Sequence, residues 1–190
     1  MKNYAELHCL SCFSFLRGVS QPAELVRYAT KLGYTAIAIT DECSLAGVVK
    51  AHTTAKSLDI KLIIGSEFKL ANGMKLVALV PSKQAYSELS RLISLARRRC
   101  PKGEYRMYLR DIIFYLKHCL IIWLPTQNNS LEYPRGYQLT KLFRNRIWLG
   151  VTRLLKNNEA EYFLATRELS YKLSIPMVAC GNVQMCHAKN

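Results

Sequence analysis

The chain has 190 residues, half of them hydrophobic, so it can bury one substantial core and we expect a single domain over residues 1–190. Its 27 lysines and arginines against 13 aspartates and glutamates favour a polyanionic neighbour such as nucleic acid. The excess is uneven, because residues 1–70 hold 8 basic and 6 acidic side chains whereas residues 71–190 hold 19 and 7.

The sequence shows no export or membrane signal. The N-terminal residues lead into His8 without an apolar segment, and Lys117 and His118 interrupt the apolar run Ile112–Leu124. We therefore expect neither a signal peptide nor a membrane span, and no membrane partner. The seven cysteines are an odd number in such a chain. Reduced thiols in the cytoplasm are thus expected instead of a disulfide framework.

The first elements are a strand and a helix. A strand is expected to end at His8–Ser11, after which Ser20 can cap a helix with Pro22 in its first turn and Gly33 at its end. Apolar residues at helical spacing predict the buried face of this helix. They are Leu25, Val26, Ala29 and Leu32.

The next stretch, Thr35–Phe68, has the pattern of a βαβ unit. Thr35–Thr40 is β-branched at alternate positions and almost wholly apolar, which is typical of a parallel strand covered on both faces. A helix is expected from Ser44 or Leu45, and a second strand over Leu62–Ile64. The residues expected to pack the helix against the sheet are Leu45, Val48, Val49 and Ala55.

A hairpin and a helix are predicted next. Phe68–Leu70 and Lys75–Val80 flank Asn72-Gly73, a dipeptide that suits a type I′ turn. Pro81-Ser82 then begins a helix that ends at Arg97–Arg99. Its inner stripe is expected to be Leu89, Leu92, Ile93, Leu95 and Ala96.

The second half of the chain alternates strands with helices. Ile112–Leu116 fits either type, since a short apolar run does not decide between them. The remaining predicted elements are a strand at Leu120–Leu124, an exposed loop at Gln127–Ser130, a basic helix at Gln138–Asn145, a strand at Ile147–Val151, a helix at Asn158–Leu173 and a strand at Pro176–Cys180. This alternation favours a parallel α/β barrel.

Polar residues follow several of the predicted strands, and the carboxyl ends of parallel strands meet at one edge. These residues are His8, Asp41, Glu42, Glu67, Asn182, Gln184 and His187. Imidazole and carboxylate groups suit zinc, manganese or iron and can activate water against a phosphoester. Amides are poor ligands, however. The alternatives are a hydrogen-bonded His8 at a strand end and Asp41 as the N-cap of the following helix.

Cysteines offer a second, weaker metal pattern. Cys9 and Cys12 have the spacing of half a zinc site, and Cys180, Cys186 and His187 are the residues that could complete it. No second CxxC motif is present. Small buried core cysteines are the favoured alternative.

The segment Arg97–Arg110 mixes cations with Tyr105 and Tyr108, as in surfaces that follow a nucleic-acid strand. A merely solvated face is the alternative. The candidate DNA-contacting residues are Arg97, Arg98, Arg99, Lys102 and Arg106, and the positive charge continues through Arg135, Lys141, Arg144, Arg146 and Arg153. No phosphate-cradling glycine loop, nucleophile elbow or dinucleotide fingerprint occurs.

Four blocks of the sequence are distinctive in combination: Tyr4–Gly18, Ala38–Val49, Ile63–Phe68 and Arg97–Arg106. Together they resemble the polymerase-and-histidinol-phosphatase (PHP) domain that begins bacterial C-family DNA polymerases, in particular the error-prone branch. The resemblance covers almost the whole chain and fades between Pro125 and Asn145. It implies an α/β fold, namely a PHP-type distorted (β/α)7 barrel that can be incomplete at its C-terminal end.

In that family the strand ends hold a trinuclear metal cluster, bound through an H-x-H motif, a D-H pair, a glutamate and a terminal D-x-H motif. The resemblance retains only His8, Asp41 and Glu67 of these ligands. The changed ligand positions are Leu10, Glu42, Asn182, Gln184 and Cys186. We therefore expect no catalytic residue and no cofactor, with at most weak residual zinc or manganese binding at the three retained positions.

The resemblance implies a structural role as the N-terminal PHP domain, a fragment, of an error-prone DNA polymerase in replication and damage-associated repair synthesis. The implied partners are polymerase core domains or subunits, with DNA as a further candidate. The family's nucleotidyl transfer uses carboxylates of a later palm domain, which this sequence lacks, so we expect no polymerisation by this chain alone. Two alternatives stay open: a free-standing metal-dependent PHP phosphoesterase, and a basic nucleic-acid-binding module.

Overall fold

The structure is a computed structural model that describes residues 4–126, 129–153 and 159–187. Within these ranges seven strands form one sheet in chain order. The strands are β1 (Ala5–Glu6), β2 (Ala36–Ile39), β3 (Lys61–Lys69), β4 (Lys75–Val80), β5 (Leu120–Leu124), β6 (Ile147–Val151) and β7 (Met177–Ala179). The helices are α1 (Pro22–Lys31), α2 (Val48–Ser57), α3 (Lys83–Arg98), α4 (Leu109–Tyr115), α5 (Asn129–Leu142) and α6 (Glu159–Leu173).

The sheet curves into a nearly closed barrel, which confirms the predicted α/β barrel class. Beyond β1 and β7, Cys9 and Val183 form a parallel bridge. In this bridge the Leu10 amide donates to the Val183 carbonyl at 2.8 Å, and the Val183 amide donates to the His8 carbonyl at 3.0 Å. The two edges of the sheet therefore meet on the side where β1 ends.

The alternation of strands and helices predicted a parallel barrel, but one of the seven strands runs antiparallel to its neighbours. β4 runs antiparallel to both β3 and β5, whereas the other neighbours are parallel. The short connection accounts for the β3–β4 pair, because a tight loop joins only antiparallel strands and a parallel pair needs a long crossover.

The β3–β4 hairpin is confirmed, but its predicted type I′ turn is wrong. Leu70 and Met74 pair across a three-residue loop, in which the Gly73 amide donates to the Leu70 carbonyl at 2.9 Å. Gly73 has φ +84°, whereas Asn72 stays outside the positive-φ region that a type I′ turn requires. The loop therefore uses one glycine in the left-handed region in place of two consecutive left-handed residues.

The N-cap of helix α1 lies one residue later than predicted. Gln21 is its N-cap, and its amide donates to the Glu24 carboxylate at 2.8 Å. Ser20 is instead bonded to Cys186, whose amide donates to the Ser20 hydroxyl at 3.0 Å. Leu32, expected on the buried face, lies past the end of the helix and is exposed.

Helix α2 begins at Val48, later than the expected Ser44 or Leu45. The intervening residues form a loop, because the Ser44 amide donates to the Ser66 hydroxyl at 3.2 Å. Val48 and Ala55 are buried as predicted, together with Ala51, but Val49 is 74% exposed. With the helix starting at Val48, the residue at position 49 faces solvent.

Of the later strands, β5 and β6 have the predicted ends, whereas β7 is shorter than predicted. Helix α3 begins next to Pro81-Ser82, as predicted, and Ser82 caps it by accepting a hydrogen bond from the Ala85 amide. In the ambiguous run, residues 112–115 belong to α4 and Leu116 is its C-cap. Helix α5 runs from Asn129 to Leu142, so part of the predicted loop and of the predicted basic helix form one helix. Gln127, Asn128 and Asn158 lie outside the described residues.

Buried side chains form clusters on both faces of the sheet. Phe68, Trp123 and Phe143 are buried in a cluster that includes residues of α3, α4 and α5. Alternate residues of β2 diverge, as a strand requires: Ile37 joins a cluster with α1 and α2, whereas Ala38 belongs to a third cluster. This confirms that β2 is covered on both faces, so its polar residues are confined to its carboxyl end.

Candidate functional site

Four polar side chains predicted to converge lie together at the carboxyl ends of β1, β2 and β3. His8 follows β1, and Asp41 and Glu42 follow β2. Glu42 forms a parallel bridge with Glu67, near the end of β3. We call this edge the rim. The parallel register of the first three strands accounts for the convergence.

His8 and Glu67 form a buried pair at the centre of the rim. The His8 Nε2 and Glu67 Oε2 atoms are 2.6 Å apart, and the side chains are 2% and 1% exposed. Because an ionised carboxylate only accepts hydrogen bonds, Nε2 is the donor in this pair. His8 Nδ1 is buried and has no hydrogen-bond partner among the described residues.

Arg17 is a rim residue that no sequence pattern predicted. Its Nη1 donates to Glu67 Oε1 at 2.6 Å, and its Nη2 donates to Glu67 Oε2 at 3.1 Å. The same Nη1 donates to Glu42 Oε2 at 2.6 Å. The guanidinium therefore lies between two carboxylates delivered by neighbouring strands. The only signal in the sequence was the need of two adjacent carboxylates for a cation.

The loop that carries Arg17 has an unusual backbone. Leu16 adopts φ +61°, a left-handed conformation that is uncommon for leucine. Gly18 packs so closely that a Cβ there would lie 2.0 Å from the Ser11 carbonyl oxygen. Both features bring the chain back toward the rim and point the Arg17 side chain inward.

The contacts of Glu67 determine its protonation state. Burial by itself would raise the pKa of Glu67, but hydrogen bonds from His8 and Arg17 lower it to about 2. Burial likewise opposes the charged form of Arg17, and its bonds to Glu67 and Glu42 outweigh burial and raise its pKa. Both groups are therefore charged at neutral pH.

The Asp41 carboxylate accepts three hydrogen bonds from two serines of the loop after β1. Its Oδ1 accepts from the Ser11 amide and the Ser14 hydroxyl, and its Oδ2 accepts from the Ser11 hydroxyl, each at 2.7 Å. The alternative of an N-cap for α2 is wrong, because that helix begins seven residues later. Asp41 instead holds the loop that follows His8 against the end of β2.

Tyr105 links the rim to the basic segment. Its hydroxyl donates to Glu42 Oε1 at 2.7 Å and accepts from the Lys69 amide at 2.8 Å. Burial, followed by the Glu42 contact, raises the pKa of Tyr105. The Cζ atom of Arg97 lies 5.3 Å from the centroid of the Tyr105 ring. The Arg97 guanidinium also donates to the backbone carbonyls of Glu42 and Cys43, both at 3.1 Å.

The candidate DNA-contacting residues fall into two groups. Arg97 binds backbone carbonyls beside the rim, and Arg99 binds the Asp111 carboxylate with both terminal nitrogens. Arg98, Lys102 and Arg106 have exposed side chains. DNA contact stays a prediction, and these three exposed cations are its remaining candidates.

The rim residues do not fit the metal cluster that the resemblance implies. Leu10 is buried and has no lone pair to offer. Arg17 binds Glu42 and Glu67, and serine donors bind both Asp41 oxygens. Across residues 4–126, 129–153 and 159–187, no group of three or more His, Cys, Asp or Glu could hold a metal ion. Besides His8 Nδ1, the Asn182 Oδ1 atom, next to the Cys9–Val183 bridge, is buried without a partner in this part of the chain.

The cysteine pattern has no metal-site geometry either. All seven cysteines are free. Cys9 and Cys186 pack with the α1 and α2 cluster, whereas Cys180 belongs to the third cluster. His187 packs edge-on against Tyr28, with ring centroids 4.7 Å apart.

Among the described helices, none is both long and apolar enough to cross a membrane.

Comparisons with known proteins agree with this fold. A family model described as the PHP domain matches residues 6–125. The chain is 50% identical over 187 residues to the error-prone DNA polymerase of Saccharophagus degradans, and 51% identical over 176 residues to that of Teredinibacter turnerae. These matches cover 98% and 93% of this chain but only 18% and 17% of the two polymerases.

A solved structure shares the same architecture. It is a proposed metal-dependent phosphoesterase of Bifidobacterium adolescentis, with a TM-score of 0.68 and 16% sequence identity. The match covers 100% of this chain and 91% of that one. The fold thus defines the class as a nearly closed, seven-stranded α/β barrel.

Within that class the chain belongs to the PHP domain family. The predicted family and fold are therefore confirmed. The chain spans less than a fifth of the length of the error-prone DNA polymerases that it matches.

Proposed function

We propose that this chain is a structural, non-catalytic PHP module of an error-prone DNA polymerase that works in replication and repair synthesis in the cytoplasm. Its similarity to one region of such polymerases, at 50% and 51% identity, supports the polymerase context. Polymerisation itself is assigned to the remainder of such a polymerase. The module supplies a rigid barrel to which that remainder is attached.

One observation carries the non-catalytic part of the proposal. The Arg17 guanidinium binds the carboxylates of Glu42 and Glu67, so the oxygens that a metal ion would need are already bound to a cation. A phosphoesterase of this fold class depends on metal to activate water. With Leu10 unable to ligate and Asp41 held by serine donors, the chain lacks the chemistry for that step.

The surface around the rim suggests where the remaining polymerase domains attach. Phe15 and Leu16 are 85% and 91% exposed, at the tip of the loop that Arg17 and Asp41 anchor. Phe13, on the same loop, is also exposed and lies under the Lys50 ammonium group at 5.8 Å. Large apolar side chains that project from an anchored loop are typical of a contact site. We assign this loop tip to contact with the polymerase core.

A nuclease assay with metal analysis tests the non-catalytic assignment. The purified chain is incubated with single-stranded DNA and manganese or zinc, and its metal content is measured by elemental analysis. We expect no nucleotide release from the 3′ end above background, and metal below stoichiometric amounts. The matched control is His8→Ala, which is expected to be indistinguishable from the wild type. Metal-dependent release that disappears in His8→Ala would favour the free-standing phosphoesterase instead.

A further inference from the structure

We propose that His8, Glu42, Glu67 and Tyr105 form a guanidinium-binding site, that Arg17 is its resident cation, and that the site does not take a divalent metal ion. This inference goes beyond the proposed function, because it concerns which cation the rim is built to bind. It would hold equally for a PHP module with any partner.

The two carboxylates fit the planar, forked shape of the Arg17 guanidinium group. Two terminal nitrogens of Arg17 make three hydrogen bonds, two to Glu67 and one to Glu42, at 2.6 to 3.1 Å. Two-point binding of a carboxylate is characteristic of guanidinium, whereas an ammonium group is a compact point charge. The site therefore recognises shape as well as charge.

The second support is that neighbouring donors hold both carboxylates in place. His8 Nε2 lies 2.6 Å from Glu67 Oε2, and the Tyr105 hydroxyl donates to Glu42 Oε1 at 2.7 Å. Since each carboxylate has a second donor besides Arg17, its orientation does not depend on the cation alone. The site is thus expected to keep its form when the Arg17 side chain is removed.

The third support is the misfit to a small ion. A zinc ion needs its donor atoms about 2.0 to 2.2 Å from a single point. Here the carboxylate oxygens converge on two separate nitrogens, and His8 Nε2 is directed at Glu67. No set of three or more His, Cys, Asp or Glu in the described ranges is arranged to hold a metal ion.

The site also controls the loop that carries Arg17. Leu16, next to the anchor, holds φ +61°, and Phe15 and Leu16 are nearly fully exposed. An exposed leucine has no reason of its own to keep a left-handed backbone. The Arg17 bonds to Glu42 and Glu67 supply the restraint, so loss of the cation is expected to loosen this loop.

Chemical rescue of Arg17→Ala tests the inference. Loss of the partner of a buried carboxylate is expected to lower the thermal unfolding midpoint by roughly 5–10 °C. Chymotrypsin, which cleaves after exposed aromatic and leucine residues, is expected to cut faster after Phe15 and Leu16. Millimolar methylguanidinium chloride should restore most of the midpoint and slow this cleavage. Equal concentrations of sodium, manganese or zinc chloride should do neither.

The matched control is Arg153→Ala, because Arg153 is an exposed arginine whose carboxylate partner is Glu159. Methylguanidinium should leave the midpoint of this variant and of the wild type unchanged. Arg17→Lys is the second variant, which keeps the charge but loses the fork. Its midpoint should lie between those of the wild type and Arg17→Ala.

Three results would overturn the inference: an Arg17→Ala midpoint equal to the wild type, no rescue by methylguanidinium, or rescue by manganese or zinc. If Arg17→Ala does not fold, an Arg17→Lys midpoint equal to the wild type would contradict it. None of these results would contradict the proposal that the chain is part of an error-prone DNA polymerase. Metal-dependent nuclease activity of the wild type that disappears in His8→Ala would overturn both the proposed function and the exclusion of a divalent ion from this site, whereas failure of the methylguanidinium rescue would overturn the inference alone.

Discussion

The guanidinium of Arg17 binds Glu67 through both of its terminal nitrogens, at 2.6 and 3.1 Å, although fifty residues separate the two in the chain. Glu67 lies near the end of β3, and Arg17 lies on the loop after β1. The same guanidinium also reaches Glu42, after β2. One side chain thus ties together the carboxyl ends of three adjacent strands, which are the positions where enzymes of this fold class perform chemistry.

The depressed pKa of Glu67 predicts an acid-sensitive contribution to stability. Its pKa falls from an ordinary value of 4.5 to about 2, so between these values the unfolded chain binds more protons than the folded one. The contribution, on the order of 3 kcal/mol, is fully present above about pH 4.5 and is lost as the pH falls toward 2. Urea unfolding measured from pH 7 down to the acid limit of the fold checks this.

Glu67→Gln is the comparison for that experiment, because it removes the titrating group and keeps the size of the side chain. The difference in unfolding free energy between the wild type and this variant should shrink as the pH decreases below 4.5. A difference that stays constant down to pH 3 would contradict the prediction.

The bonds of Asp41 predict a structural cost for its removal. Asp41→Asn converts one acceptor oxygen to a donor and removes the charge that strengthens three hydrogen bonds from Ser11 and Ser14. We expect a loss of roughly 2 kcal/mol in the free energy of unfolding, measured with urea at pH 7. The control is Asp59→Asn at an exposed left-handed position, where asparagine is well tolerated. Equal losses in the two variants would show that the Asp41 bonds contribute nothing.

We predict that the exposed loop tip contacts the polymerase core and that its apolar side chains do not contribute to the stability of the fold. Phe15→Ser with Leu16→Asn removes both apolar side chains, and asparagine suits the left-handed backbone at position 16. The double variant should unfold at the wild-type temperature. Its affinity for the Saccharophagus degradans error-prone polymerase lacking the matching region should fall at least tenfold.

The control for this contact is Phe114→Ser, which removes an aromatic side chain that is also mostly exposed but lies on α4. This variant should bind as the wild type does. Wild-type affinity of the double variant, measured by calorimetry, would remove the loop tip from the interface.

The three exposed cations of the basic segment predict salt-dependent DNA binding. If Arg98, Lys102 and Arg106 each neutralise one phosphate of single-stranded DNA, replacing all three with alanine should reduce the slope of log affinity against log salt by about 2. A fluorescence titration at several salt concentrations measures this slope. The matched control replaces three exposed lysines outside the segment, namely Lys50, Lys56 and Lys61. An equal loss in both triple variants would mean that only net charge matters.

Much of the rim could be predicted from local patterns. β2 was recognisable because its residues are apolar and β-branched, and the tight β3–β4 loop was recognisable from Asn72-Gly73. His8, Asp41, Glu42 and Glu67 follow strands that such patterns locate. Their convergence then follows from the geometry of parallel strands. The ends of helices were less predictable, since Ser20 bonds to Cys186 from the far end of the chain in place of capping α1.

The sequence by itself determined the strands, the family and the acidic rim, because periodicity, turn residues and strand ends are properties of neighbouring residues. Only the tertiary structure decided which of 27 basic side chains serves as the cation of the rim. That choice depends on a left-handed Leu16, on a close approach at Gly18 and on contacts across fifty residues. Pairings of this kind have no local period, so they are set when the barrel brings the loop after β1 against the end of β3.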